Sequence, residues 1–257
     1  MSGDTRATGW GPLSPIGEAL RFMTVLPTPG LGPHSAAGMA SAPTAFGVVG
    51  WIVGALGACV GALAAGWIAP TTGPWAVLLA GFLVTRGFHL DGVADVGDAL
   101  FSSRDQERMR EILRDSRIGT MGALALLFVL GGQALALNEL GPRLWLGALI
   151  APPLGRWVGV LSMRRFAELG GSSLGVSVAA TGRSAQTQLV VGATVLLPLL
   201  VLVGPTETLV IVGVVLLVAE LAGRVLERAF GGLSGDAYGT QTELAQLTAL
   251  MTLVALG

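Results

Sequence analysis

The chain has no lysine and a single cysteine, and charged residues fill only 12% of its 257 positions. An ordinary soluble domain carries roughly 25% charged residues. The deficit excludes a water-soluble enzyme, and the hydrophobic share of 52% excludes disorder. Cys59 alone rules out a disulfide framework and a cysteine zinc site. A net charge of −1 leaves no electrostatic footprint for nucleic acid, so none is expected as a partner. There is no P-loop, no HExxH and no GxSxG. Residues 1–12 are polar and Gly-rich, and no compact apolar region with a small-residue cleavage site follows, so no secretory signal is expected. What is present is apolar and small. Mean hydropathy is +0.72 and there are 39 glycines, the composition of helices that pack closely inside a bilayer. The expected class is an all-α polytopic membrane protein forming one integral-membrane domain, with residues 1–12 flexible. Its oligomeric state is left open, a homo-oligomer included.

A bilayer core of roughly 30 Å takes about 20 apolar residues per helix. Seven stretches approach this: Phe46–Ile68, Pro74–Phe88, Ile118–Leu137, Leu144–Met163, Gln186–Val203, Thr208–Gly223 and Thr240–Gly257. The second, sixth and seventh are short, and some of them are candidates for tilted or re-entrant helices. Ser14–Leu26 reads as an amphipathic helix too short to span, placed at the interface. With the N-terminus inside, 13 of the 15 arginines fall in cytoplasmic segments, Arg143 alone falls outside, and Arg156 lies within a span. That bias predicts an N-in, C-out topology. The pairs Gly50–Gly54 and Gly57–Gly61 predict close helix contacts.

The charge that exists is concentrated. Residues 86–117 hold 13 of the 31 charged side chains. Asp91, Asp95 and Asp98 follow an i, i+4, i+7 spacing, which puts three carboxylates on one helix face. Such like charges repel, and an aspartate at mid-membrane costs roughly 2.5–3.5 kcal/mol. A hard divalent cation such as Mg²⁺ compensates them. Gly92 and Gly97 leave room beside them for a bulky ligand. Ser103 with Gln106 forms a capping box that predicts an amphipathic surface helix, its apolar stripe made by Met109, Ile112 and Leu113. Arg114 and Arg117 follow at a helix junction backed by Gly119, either as surface charges or as a clamp for phosphate. Further on, Asp236, Thr240 and Glu243 repeat the same spacing after a Gly-rich turn. An acidic residue opening a helix explains them in part; with the first triad on the same side, a composite metal–phosphate site explains them better. Arg156 follows Pro152-Pro153 within a span and needs an anionic partner, either Glu220 or substrate. His89 stands two residues before Asp91, as a helix-end histidine or a ligand contact; His34 reads as exposed.

Taken together, three stretches resemble the cobalamin synthase (adenosylcobinamide-GDP ribazoletransferase) family. They are His89-Leu90-Asp91-Gly92-Val93-Ala94-Asp95-Val96-Gly97-Asp98, Arg114-Asp115-Ser116-Arg117-Ile118-Gly119-Thr120-Met121-Gly122, and Leu233-Ser234-Gly235-Asp236-Ala237-Tyr238-Gly239-Thr240 with Glu243. Phe22-Met23-Thr24-Val25-Leu26-Pro27 is similar to that family's opening Phe-x-Thr-x-x-Pro segment. Arg114 stands where the family pattern has lysine, which keeps the charge. The resemblance implies an enzyme of the bacterial inner membrane, active on the cytoplasmic face and dependent on Mg²⁺. It implies transfer of adenosylcobinamide phosphate from adenosylcobinamide-GDP to the 5′-hydroxyl of α-ribazole or its 5′-phosphate, with release of GMP. On this reading Asp91, Asp95 and Asp98 hold the metal, and Asp98 and Asp236 are catalytic. Arg114, Arg117, Arg156, His89 and Glu243 then contact substrate or phosphate. Two alternatives remain. A CDP-alcohol phosphotransferase would have arginine after Ala94, where this chain has Asp95, and would carry further spaced aspartates. A cation or solute transporter would hold its charges near the midplane, not at one end.

Overall fold

Proline and glycine set the helix boundaries in the computed structural model, which describes residues 10–33, 35–102, 105–115, 117–170 and 173–257. His34, Ser103, Arg104 and Ser116 lie outside these residues, as does most of the 1–12 segment. Twelve α-helices are present among the described residues, linked by short 3₁₀ turns. They are α1 (Ser14–Met23), α2 (Ala36–Ser41), α3 (Phe46–Trp67), α4 (Thr72–Thr85), α5 (Phe88–Leu100) and α6 (Gln106–Ile112). The chain continues through α7 (Thr120–Glu139), α8 (Leu144–Arg165), α9 (Ser173–Gly182), α10 (Ala185–Val203), α11 (Pro205–Phe230) and α12 (Gly235–Ala255). The extended backbone contributes one isolated bridge, Glu168 to Leu233.

Among the described residues five segments are long and apolar enough to cross a membrane: Ala36–Trp67, Thr120–Glu139, Gly141–Arg165, Ala185–Val203 and Pro205–Phe230. The expected count of seven is modified at two places. The span expected at Pro74–Phe88 is instead α4, whose 14 residues reach about 21 Å, short of a bilayer core. Arg86 and Gly87 then adopt left-handed backbone (φ 54° and 68°), and the chain turns through 96° into α5. The two helices together make at most one broken span. The last expected span, Thr240–Gly257, begins five residues earlier. Ser234 caps α12, accepting a hydrogen bond from the Ala237 N–H. At 21 residues α12 is long enough, but Gln241, Glu243 and Gln246 keep it less apolar than the five spans; Gln241 and Glu243 are buried within the bundle.

The centre of the bundle is α8, packed against α3 on one side and α12 on the other. Pro152 and Pro153 have no N–H, so the carbonyls of Ala148 and Leu149 lose their helical partners. Gly54 of α3 sits against those two carbonyls: a β-carbon there would lie 2.5 Å from Leu149 O and 3.0 Å from Ala148 O. The expected Gly50–Gly54 contact is therefore the seat of the proline pair, and Gly57 and Gly61 face Val77 of α4. Gly155 and Gly159 on the opposite face of α8 admit Thr242 of α12.

The amphipathic helix expected after Ser103 is shorter and differently capped. Asp105 is its N-cap, with Oδ1 accepting from the Arg108 N–H at 2.9 Å. Its seven residues dock on the end of α11, where Arg110 Nε donates to Phe230 O (2.6 Å) and Gln106 Nε2 to Arg228 O (3.3 Å). A cation on the last carbonyls of a helix satisfies both their hydrogen-bonding and the helix dipole. Met109, Ile112 and Leu113 join the core. The first helix, expected over Ser14–Leu26, stops at Met23, where Thr24 turns its hydroxyl and its N–H back onto Leu20 O.

Candidate active site

Two glycines bring α5 and α12 into backbone contact. A β-carbon at Gly92 would lie 2.5 Å from Asp236 O and 2.8 Å from Asp236 Cα, and one at Gly239 would lie 3.3 Å from His89 Cα. Thr240 Oγ1 closes the joint by donating toward Gly92 O (3.0 Å) or Asp236 O (2.9 Å). The helices run antiparallel, so Asp236 lands beside the first turns of α5. The two acidic motifs therefore share one end of the bundle, as the spacing argument expects. The charges of Asp91, Asp98 and Asp236 all act on Asp95. Asp91 is exposed, and Asp95 and Asp236 are half-buried. Among the described residues, no ion pair compensates Asp91, Asp95 or Asp236.

The three aspartates of α5 do not do the same thing. Both oxygens of Asp98 are taken by the start of α7: Oδ2 accepts from Gly119 N–H at 2.6 Å and Oδ1 from Gly122 N–H at 2.8 Å. Asp98 thus caps a helix from outside its own sequence, where an anion meets otherwise unpaired N–H groups and the positive end of the dipole. Gly97 and Gly122 let α5 and α7 approach closely enough for this. Among the described residues no group of three His, Cys, Asp or Glu side chains is gathered tightly enough to hold a metal by itself. Among the described residues Asp91 and Asp95 on α5 accept no hydrogen bond, and Asp236 on α12 accepts a long one from the neighbouring Ser234 Oγ (3.4 Å).

The second triad is divided further. Asp236 joins the acidic end and Thr240 ties the two helices. Glu243, two turns along α12, points into the interior. There Gln246 Nε2 donates to its Oε1 (2.7 Å), Gln133 Nε2 to its Oε2 (3.0 Å), and His89 Nδ1 stands 3.7 Å away. Arg156 completes the cluster. It is 3% exposed, donates to Pro152 O (3.0 Å), and is acted on by the charge of Glu243. Glu220, one of the two expected partners of Arg156, is instead taken by Arg165 (2.5 and 2.9 Å) and Arg224 (2.8 Å) at the surface. Breaking such a buried cluster would leave an uncompensated charge, at a cost of roughly 3–5 kcal/mol.

Arg114 and Arg117 lie in the exposed turn between α6 and α7. Arg117 donates to both Asp115 oxygens (Nε to Oδ1 3.0 Å, Nη2 to Oδ2 2.6 Å) and holds that carboxyl down at about 2. The turn ends at Gly119, which Asp98 grips, so both arginines are carried next to the acidic end.

Sequence reasoning missed Gln133, Gln246 and Arg110. Gln133 is the lone amide in the apolar middle of α7, and a buried polar group in a membrane segment is itself a signal. Gln246 lies one turn beyond Glu243. Arg110 had no local signal, because its partners are the carbonyl ends of a helix 120 residues away.

A family model described as cobalamin-5-phosphate synthase matches residues 16–254. The chain is 42% identical over 250 residues to the adenosylcobinamide-GDP ribazoletransferase of Roseiflexus sp. (strain RS-1), covering 95% of this chain and 90% of that one. It is 36% identical to the protein of the same name from Herpetosiphon aurantiacus, over 94% of this chain and 96% of that one. It is also 36% identical to the one from Citrobacter koseri, over 81% and 85%. No solved structure matches. Matched across nearly its whole length, with the acidic ends of α5 and α12 inside the matched region, the chain belongs to the cobalamin-5-phosphate synthase family.

Proposed function

We propose that this chain is an adenosylcobinamide-GDP ribazoletransferase of a bacterial cytoplasmic membrane, with its acidic end facing the cytoplasm. The observation that carries the chemistry is the joint of α5 and α12. It sets Asp91, Asp95 and Asp236 at one end of the bundle with no cationic partner among the described residues. Nothing among the described residues repays that repulsion, whereas a ligand carrying a cation does. The donor set fits Mg²⁺, which takes one or two carboxylates together with substrate phosphates more readily than a closed all-protein cage. Asp91 and Asp95, one turn apart on α5, would hold it. When bound, Mg²⁺ neutralises the pyrophosphate and the departing GMP.

The rest is the work of the chain's own residues. The 5′-hydroxyl oxygen of α-ribazole forms a bond to the phosphorus of the cobinamide phosphate. The bond from that phosphorus to the bridging oxygen breaks, and GMP leaves with the bridging oxygen and its electron pair. The hydroxyl proton passes to a carboxylate, for which Asp236 is placed best: it is half-buried at the acidic end and is held by the Ser234 hydroxyl (3.4 Å to Oδ2) and its own backbone N–H, not by a second helix. Asp98 is reassigned from base and ligand to a positioning role, holding α7 and the Arg114–Arg117 turn against the acidic end. The two arginines contact the remaining phosphate oxygens, Arg117 exchanging Asp115 for substrate. Incubating the purified protein with adenosylcobinamide-GDP, α-ribazole and Mg²⁺ tests the reading. Release of one GMP per cobamide formed supports it, and no GMP under any Mg²⁺ concentration refutes it; a transporter would release none.

A further inference from the structure

Beside the acidic end, with the α5–α12 joint at one side, lies a cavity of about 250 Å³. Its wall is a row of rings drawn from three separate helices. Phe22 of α1 stacks on Phe46 of α3 (centroids 6.1 Å, planes 13° apart) and meets Phe88 of α5 edge-on (5.0 Å, 71°). Met23 and Met163 add polarizable sulfur. Phe88 remains 40% exposed and lines the cavity. At the polar side of the cavity are Arg156 and Tyr238, 3% and 8% exposed. Arg156 Nε and Tyr238 Oη have no hydrogen-bond partner among the described residues. Arg183, paired with Glu168 (3.0 Å) and Met163 O (2.8 Å), also faces the Tyr238 hydroxyl, but a guanidinium only donates, so the hydroxyl's own proton is left without an acceptor. A buried donor left unpaired costs about 1–3 kcal/mol, so two in one cavity point to a ligand that accepts.

Resting on the function proposed above, we infer that this cavity receives the base of the acceptor nucleoside and that Tyr238 and Arg156 read its unsubstituted ring nitrogen. A benzimidazole is a flat, largely apolar bicycle with one free acceptor nitrogen. That is the complement of a wall of rings facing two donors. A corrin is too large for a space of about 250 Å³, and guanine, which also offers acceptors at N7 and O6, is told apart from the acceptor base by the KM comparison below. The cavity also has the correct neighbour. Ser234 and Gly235 line its rim, and Asp236 follows on the adjacent face of the same helical turn. A base lodged among the rings therefore leaves its ribose beside the proposed proton acceptor. The Phe22 segment, which the acidic end leaves unexplained, becomes part of the acceptor site.

The test is steady-state GMP release by the detergent-purified protein, with α-ribazole and its indole analogue, in which the free ring nitrogen is a C–H. The wild type should prefer α-ribazole by about 10-fold or more, the discrimination a site loses when its donors are left unpaired. Tyr238→Phe should shrink that preference at least several-fold. Phe22→Leu should raise the KM for α-ribazole by about 10-fold while leaving the KM for adenosylcobinamide-GDP near the wild-type value. A Tyr238→Phe enzyme that keeps the full preference overturns the inference, as does a Phe22→Leu enzyme whose defect falls on adenosylcobinamide-GDP. If the wild type releases no GMP with either acceptor, it is the proposed function that fails.

Discussion

The spacing Asp-x₃-x-x₂-x recurs at residues 91–98 and 236–243, and the two copies behave differently. On α5, positions 91, 95 and 98 are all carboxylates at or near the surface, and two of them stay free. On α12, positions 236, 240 and 243 run from the surface into the core. They become a half-buried carboxylate at the acidic end, an interhelical hydrogen bond and a buried acid surrounded by donors. An identical register specifies only a shared face; depth decides what each position does. α5 is turned 96° from α4, which keeps its acidic face at the end of the bundle, whereas α12 runs into the bundle.

The largest effects should come from breaking the free carboxylates. Asp91→Asn and Asp95→Asn should each lower GMP release by on the order of 10²-fold or more, the scale of a lost charge-stabilising group, and raise the Mg²⁺ concentration for half-activity. Next is Gly92→Val. Its side chain would start 2.5 Å from Asp236 O, so α5 and α12 must separate. The expected loss is about 1–3 kcal/mol of stability from overpacking, together with most activity, read by thermal unfolding in detergent and by turnover. Asp98→Ala sharpens the contrast within one helix. It removes a cap shared by two N–H groups and should cost about 1–2 kcal/mol, with the Mg²⁺ requirement of the surviving enzyme unchanged. The smallest effect should come from Arg117→Ala, which should raise the KM for adenosylcobinamide-GDP several-fold while thermal stability stays at the wild-type value. The exposed Arg117–Asp115 pair contributes little to folding.

The carboxylates were legible in the sequence because charge is rare in this chain, so every acidic residue in an apolar context stands out. The helical class followed from composition, and the convergence of the two acidic motifs followed from their helix ends falling on one side. What was not legible depends on distant partners. Asp98 meets Gly119 and Gly122, more than 20 residues on, so its spacing with Asp91 and Asp95 suggested a third ligand. Arg156 offered two candidate acids by sequence, Glu220 and a substrate group, and packing supplied Glu243 instead. The break at Arg86 was hidden because a non-glycine residue there takes a left-handed conformation that residue type does not announce. The ring-lined cavity joins residues from α1, α3, α5 and α12, and no local pattern records that assembly.

The claim on which the rest depends is that α5 supplies the cation's ligands while α12 supplies the proton acceptor. A Mg²⁺ titration of GMP release, run in parallel on Asp95→Asn and Asp236→Asn, tests it most directly. The account predicts a half-activating Mg²⁺ concentration raised at least about 10-fold for Asp95→Asn. For Asp236→Asn it predicts a wild-type Mg²⁺ requirement with a turnover reduced by about 10²-fold, the scale of a lost general base. An unchanged requirement in Asp95→Asn, or a defect in Asp236→Asn that excess Mg²⁺ restores, would contradict it.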